Sequence, residues 1–151
     1  MITIREADLE ADALAILDGA RDFMSRMEFT MFAPKDDNAL AKALGRVLSL
    51  EGVQVIAAES EGKVVGGIGM LYAPHLWNPE KLTAEELFWW TREDAPRMTA
   101  MLLVRTAFRE MRNRGVDVAT FKALSNSPSG VSKVYNRLGL VPVETAFCGA
   151  P

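Results

Sequence analysis

Apolar residues recur along this chain with two periods, and each switch between them marks an element. ITIRE, residues 2–6, alternates apolar and polar as a short strand does. From Asp8 to Met24, the residues Leu9, Ala13, Ile16, Leu17, Ala20 and Met24 fall at helical spacing, with Asp8 as N-cap. Pro34 and the pair Asp36-Asp37 open a second helix over about 36–50, with Leu40, Leu44, Val47 and Leu48 on one face. VQVIAAE and KVVGGIGMLY read as two strands joined by a hairpin turn at SEG. Gly66, Gly67 and Gly69 weaken the second of these and allow a bulge or a close approach. APHLWNPEKL reads as a loop, TAEELFWW as a strand, and 96–113 as a helix stopped by Gly115. Its seam of Met101, Val104, Phe108 and Met111 should face a sheet. DVATFKAL is a further strand. A short helix follows, with Pro128 near its start and Gly139 just past its end, and LVPVETAFCG supplies closing strand residues. The order is β-α-α-β-β-β-α-β-α-β. Its later strand-helix-strand crossovers favour parallel pairing. The expected architecture is a mixed α/β sheet with helices on both faces.

Length and composition narrow this. A chain of 151 residues, 49% of them hydrophobic, predicts one domain over 1–151 with a real core. A net charge of −3 argues against a dedicated nucleic-acid binder. One cysteine, Cys148, and one histidine, His75, exclude a disulfide framework and argue against a zinc site, so no metal is expected. The acidic N-terminus has no apolar signal core, and no apolar run approaches the ~20 residues of a membrane span. These features predict a soluble, cytoplasmic protein.

Order and motifs together resemble the GNAT superfamily of acyl-CoA-dependent N-acyltransferases, over nearly the whole chain. AEELFWW looks like that family's fourth strand, APRMTAMLLVRTAFREMRNRG like its cofactor helix, and VYNRLGLVPVE like its Tyr-x-x-x-Gly-[Phe/Leu] signature. HLWNPEKLTAEELFWW and YNRLGLVPVET are most similar to the small GNAT-type proteins of phages and prophages. The resemblance implies a single-domain α/β GNAT fold whose twisted mixed sheet splays between its fourth and fifth strands. It implies acetyl-CoA in that gap, with its pantetheine against the strand of Phe88, Trp89 and Trp90. Its pyrophosphate would lie at the start of the following helix, near Arg92, Arg97, Met98, Thr99 and Ala100. An amine acceptor, small molecule or protein, would attack from the opposite side.

The phosphate turn departs from the family pattern [Gln/Arg]-x-x-Gly-x-[Gly/Ala]. Aligning on Leu102-Leu103 sets Ala95 at the Gln/Arg position, Met98 at the first Gly and Ala100 at the last, and only the last fits. Glycines there let amide N–H groups approach a pyrophosphate with no Cβ between. Asp94 adds a like charge beside the anion. Arg92 and Arg97 offer side-chain contacts instead, each worth roughly 1.5–3 kcal/mol as a charge-assisted hydrogen bond.

Tyr135 matches the family tyrosine that protonates the departing thiolate; a phenol with reference pKa ~10 is a protonated donor at neutral pH. Glu85 and Glu86 precede the aromatic strand. Alternation puts Glu86, Phe88 and Trp90 on one face and Glu85, Leu87 and Trp89 on the other, so one glutamate can face the acceptor as general base. His75 is a loop histidine whose ordinary reading is a surface residue. Cys148 has no evident base and reads as a small apolar residue. Arg105, Arg109, Arg112 and Arg114, like Lys133 and Arg137, read first as a solvated face and second as a phosphate or nucleic-acid contact. Met24, Met27, Phe29, Met31 and Phe32 suit an acceptor pocket, a plain core or a homodimer contact equally. The resulting expectation is an acetyl-CoA-dependent N-acyltransferase with Tyr135 and Glu86 as its chemical residues. The alternatives are an inactive GNAT-fold binding or phage structural protein and a GNAT-like enzyme that modifies DNA.

Overall fold

In the computed structural model, residues 1–26, 33–124, 127, 128 and 130–144 are described. In chain order the elements are β1 (Ile2–Glu6), α1 (Ala13–Ser25), α2 (Asp37–Leu48), β2 (Val53–Ser60), β3 (Lys63–His75), β4 (Asn78–Thr91), α3 (Thr99–Asn113), β5 (Val118–Thr120) and α4 (Gly130–Arg137). The strands form one sheet in sequence order. Every neighbouring pair is antiparallel except β4 and β5, which run parallel as the intervening helical crossover requires.

Hydrophobic patterning located most of these elements, and the differences have local causes. The turn after β2 puts Glu61 and Gly62 at positive φ, the conformation of a tight two-residue hairpin. Asp8 does not cap α1. Its carboxylate accepts from the amides of Glu10 and Ala11 in a preceding turn, and the helix begins only at Ala13. Asp12, at the actual N-cap, instead forks onto the Arg5 guanidinium with bonds of 2.7 and 3.0 Å, which holds its carboxyl below the usual range. The stretch 73–82, expected as a loop, is the outer part of a long β3–β4 hairpin turning at Leu76-Trp77. Pro74 and Pro79 suggested a loop, but both sit in its exposed end, where a register shift falls. β5 is three residues long rather than eight. No strand forms over 140–144, and residues 145–149 of the expected closing strand lie outside the described residues.

Two cores cover the two faces of the sheet. One packs α3 on β2, β3 and β4 through Ile56, Ile68, Met70, Ala84, Leu103 and Val104 among others. Its helical stripe is Leu103, Val104, Ala107 and Met111 with Phe108 beside them. Met101 of the expected seam is only half-buried, and the stripe is completed by Leu103 and Ala107 instead. The other core sets Ile16 of α1 against Val55, Phe88 and Trp90.

The approach expected at the β3 glycines from another chain or a ligand is made instead by these rings. A Cβ on Gly69 would lie 2.6 Å from the Phe88 ring, and one on Gly67 would lie 3.1 Å from Trp90 Nε1. α1 closes the sandwich from above, where a Cβ on Gly19 would meet the Trp90 ring at 2.0 Å.

Candidate active site

The site begins with one extra residue in β4. Gly69 pairs with Phe88, but the next rung joins Met70 to Glu86, so Leu87 is left over as a β-bulge. Alternation therefore fails at Leu87. Leu87, Phe88 and Trp90 pack toward α1, whereas Ala84 and Trp89 pack toward α3. The expectation that Glu86 shares a face with Phe88 and Trp90 is thus corrected. The bulge turns Glu86 to the side of Trp89, where its carboxylate reaches α4. The expected placement of Trp89 and Trp90 on opposite faces holds.

Glu86 also stands where two strands part. β4 pairs with β5 only from Thr83 to Glu85, opposite Val118 to Thr120. Past that point the chain leaves β4, and Glu86 spans the opening. Its Oε2 accepts from the Lys122 amide at 3.2 Å and from the Tyr135 hydroxyl at 2.9 Å. The same hydroxyl lies 3.2 Å from the Lys122 carbonyl. An aromatic wall encloses the pair: the Tyr135 ring lies 6.1 Å from Trp89 and 5.3 Å from Phe121, and Phe121 stacks on Phe108 at 5.2 Å.

Burial sets the electrostatics. Glu86 is 5% exposed and Tyr135 7%. Desolvation raises the Glu86 pKa above the usual carboxylate value, opposed by its bonds to Tyr135 and the Lys122 amide. Desolvation also pushes the Tyr135 phenol well above its ordinary value, and the Glu86 charge and hydrogen bond push it further. The phenol is therefore held protonated, with its hydroxyl donating to Glu86.

A stability effect follows with a definite sign. Because the folded state raises the Glu86 pKa, its stabilising share is present below the unfolded value near 4.3 and is lost as pH rises through the folded value. Glu86→Gln, which resembles the neutral acid, should gain stability over the parent at pH 7 and little near pH 4. Thermal unfolding at both pH values checks this; a gain that is equal at both, or a loss at pH 7, contradicts it.

The other candidates are scattered. Glu85 faces away and pairs with the Lys122 ammonium. His75 sits at the hairpin end, its Nδ1 accepting from the Trp77 amide. It is five residues along β3 from the partner of Glu86, roughly 17 Å at strand rise, so it is not part of this pair. Arg105, Arg109, Arg112 and Arg114 are exposed, with Arg114 lying over the Tyr72 ring at 4.4 Å. Lys133 and Arg137 are exposed on α4. Cys148 and residues 27–32, which include Met27, Phe29, Met31 and Phe32, lie outside the described residues. Lys122 escaped sequence reading, because its part is played by its backbone N–H and C=O, which every non-proline residue carries.

At the phosphate turn, Met98 is the N-cap of α3 and offers no side-chain acceptor to the first-turn amides. Its side chain is 55% exposed and points into solvent. Thr99 is 1% exposed, and its Oγ1 has no partner among the described residues. Arg97 is exposed, while Arg92 is held by Asp94 at 2.9 Å. An uncapped helix end and two arginines fit an anion, and the exposed Glu93 and Asp94 oppose it. A groove of about 650 Å³ lies on the other face between α1 and the end of β4. It is lined by Gly19, Asp22, Lys63, Trp90, Arg92 and Glu93 among others, and it includes neither Glu86 nor Tyr135. The gap between β4 and β5 is open in backbone pairing and filled by side chains. Among the described residues no helix is long and apolar enough to cross a membrane, and no group of three or more His, Cys, Asp or Glu is poised to hold a metal.

No protein-family model matches the chain, and no curated protein does. Solved structures do. A transcriptional regulator from Bacillus halodurans C-125 superposes with a TM-score of 0.78 at 19% identity, over 99% of both chains. A ribosomal-protein-alanine N-acetyltransferase from Brucella melitensis biovar Abortus 2308 gives 0.76 at 13% identity, over 99% of this chain and 98% of that one. A predicted acetyltransferase with acetyl-CoA from Clostridium acetobutylicum gives 0.71 at 15%, over 99% and 96%. At these identities the likeness is one of fold: the chain shares the single-domain α/β fold of these three proteins.

Proposed function

We propose that this chain is an acyl-CoA-dependent N-acyltransferase that acts at the parting of β4 and β5. The observation that carries the reading is the buried Tyr135–Glu86 pair, a phenol donor and a carboxylate 2.9 Å apart, at that parting. The fold shared with acetyltransferases, one of them with acetyl-CoA, supports it.

Acetyl-CoA, when bound, supplies an activated acyl group on a thioester. Everything else falls to the chain. Past Glu85 the outer edge of β4 is free of β5, so its backbone is available to pair with an extended arm and to offer an N–H to a developing oxyanion. The first-turn amides of α3, Arg97 and Arg92 hold the diphosphate. Tyr135 hands its proton to the leaving sulfur. Glu86 accepts the proton of the attacking amine. Removal of Tyr135 as acid tests this directly and is argued in the Discussion.

The turn supplies a separate test. Asp94 occupies Arg92 and adds negative charge where a diphosphate is to sit. Asp94→Asn releases the arginine and should tighten CoA binding modestly, by no more than roughly fivefold for an exposed pair. Calorimetric titration of both proteins at low and high salt checks it, since the gain should shrink as salt rises. A variant that binds CoA more weakly than the parent contradicts the assignment of this turn.

A further inference from the structure

A general acid and a general base usually act from separate positions, each exchanging its proton with water between turnovers. Here the two are bonded to one another. The Tyr135 hydroxyl donates to Glu86 Oε2 at 2.9 Å inside an aromatic enclosure of Trp89 and Phe121. The Lys122 amide fixes that same oxygen, and the Lys122 carbonyl lies on the other side of the hydroxyl. Resting on the acyltransferase reading above, we propose that Glu86 and Tyr135 form a closed proton relay, in which protonation of Glu86 by the acceptor amine releases the proton of Tyr135 to the leaving group.

The step balances without a further reactant. The acceptor nitrogen bonds to the acyl carbon while the carbon–sulfur bond breaks. The proton leaving nitrogen goes to Glu86, and the phenol proton goes to sulfur. The carboxylic acid of Glu86 then returns a proton to the phenolate through their shared hydrogen bond. The products are an amide and a thiol, and both side chains end as they began.

Acid strength explains why the order matters. An ordinary thiol has a pKa near ~8.5, and a phenol held far above its ordinary value surrenders a proton to the thiolate only at high cost. Two of the three influences that hold Tyr135 high are the charge of Glu86 and its acceptance of the hydroxyl; the third is burial. Burial, the largest of the three, stays, but the charge is lost once Glu86 is neutral. The phenol is thus a stronger acid after the base has been used than before. The final return of the proton runs downhill, from a carboxylic acid to a phenolate. Besides Tyr135 on α4, the charged group acting on Glu86 is Lys122, whose ammonium is bonded to Glu85.

The test uses the parent, Glu86→Gln, Tyr135→Phe and the double variant, each confirmed folded by thermal unfolding. Thiol release from acetyl-CoA is followed against a panel of amines across pH. Each single variant should lose roughly 10²–10⁴-fold in kcat. The double variant should fall no more than about threefold below the slower single, as residues acting as one unit do. The acidic limb of the parent's pH profile should vanish in Glu86→Gln, which a purely structural role for Glu86 would not produce. In parallel, tyrosine ring-carbon NMR reads the ionisation of Tyr135 without requiring turnover, and it should move down toward the ordinary phenol range in Glu86→Gln. Losses that multiply in the double variant, or a Tyr135 ionisation unmoved by Glu86→Gln, overturn the relay and leave the acyltransferase reading standing. A parent that neither binds CoA nor releases thiol overturns both.

Discussion

Tyr135→Phe is expected to lower turnover by about 10²–10⁴-fold while CoA affinity stays within a small factor of the parent's. The substitution removes one hydroxyl and keeps the ring that packs on Trp89 and Phe121. What it takes away is the phenol proton at the point where β4 and β5 separate. It also removes one of the two hydrogen bonds to Glu86 Oε2, leaving the Lys122 amide. The Glu86 carboxyl should then rise further in pKa, because the Tyr135 bond now lowers it. The check is a thiol-release assay on both proteins with a panel of amines, beside a direct CoA titration. Equal turnover removes Tyr135 from the mechanism. Lost CoA binding reassigns it to binding.

The second large effect is on stability. Trp90→Ala should cost about 3–5 kcal/mol, the usual range for truncating a buried tryptophan, against a total of roughly 5–15 for a domain. Trp90 is 7% exposed and packs with Ile16, Val55 and Phe88, its ring held between Gly19 and Gly67. The neighbouring glycine sharpens the test. Gly19→Ala alone introduces a Cβ at 2.0 Å from the ring, and such overpacking costs typically ~1–3 kcal/mol. In the Trp90→Ala background the ring is gone, and Ala within a helix is then favoured over Gly by up to ~1 kcal/mol. The two changes should therefore be strongly non-additive. Chemical unfolding of the four proteins measures this. Simple addition of the two costs would mean that the Gly19–Trp90 contact is not as close as described.

Why Glu86 and Trp90 ended on opposite faces shows how far the sequence could be read. Patterning located β1, β2, β3, α2 and the body of α3: the helices bury a stripe, β2 and β3 are continuous apolar runs buried on both faces, and turns, caps or glycines mark the ends. The Tyr-x-x-x-Gly signature marked Tyr135 as a proton donor, and its contact with Glu86 came only with the structure. The bulge at Leu87 has no such mark. A β-bulge is set by the register between two strands, and nothing in ELFWW alone says that one of its residues goes unmatched. That one residue decides which glutamate meets α4. The outer β3–β4 hairpin was missed for a different reason: most of its residues are exposed, Leu76 and Trp77 included, so no buried stripe records the pairing. β5 was overestimated because Phe121 and Leu124 continue an apolar pattern after strand pairing has stopped; Phe121 packs with Phe108 and Tyr135 instead. The chemistry of the phosphate turn was legible as far as its charges. The solvent-facing side chain of Met98, the Arg92–Asp94 pair and the orphaned Thr99 hydroxyl belong to three-dimensional packing.

The central claim is that the Glu86–Tyr135 pair serves acyl transfer to an amine. Its most direct test is thiol release from acetyl-CoA by the unmodified protein, measured with and without each of a panel of primary amines. The account predicts release that depends on the amine, saturates with its concentration and yields one amide per thiol. Release no faster than in the absence of protein, across the whole panel, would contradict it.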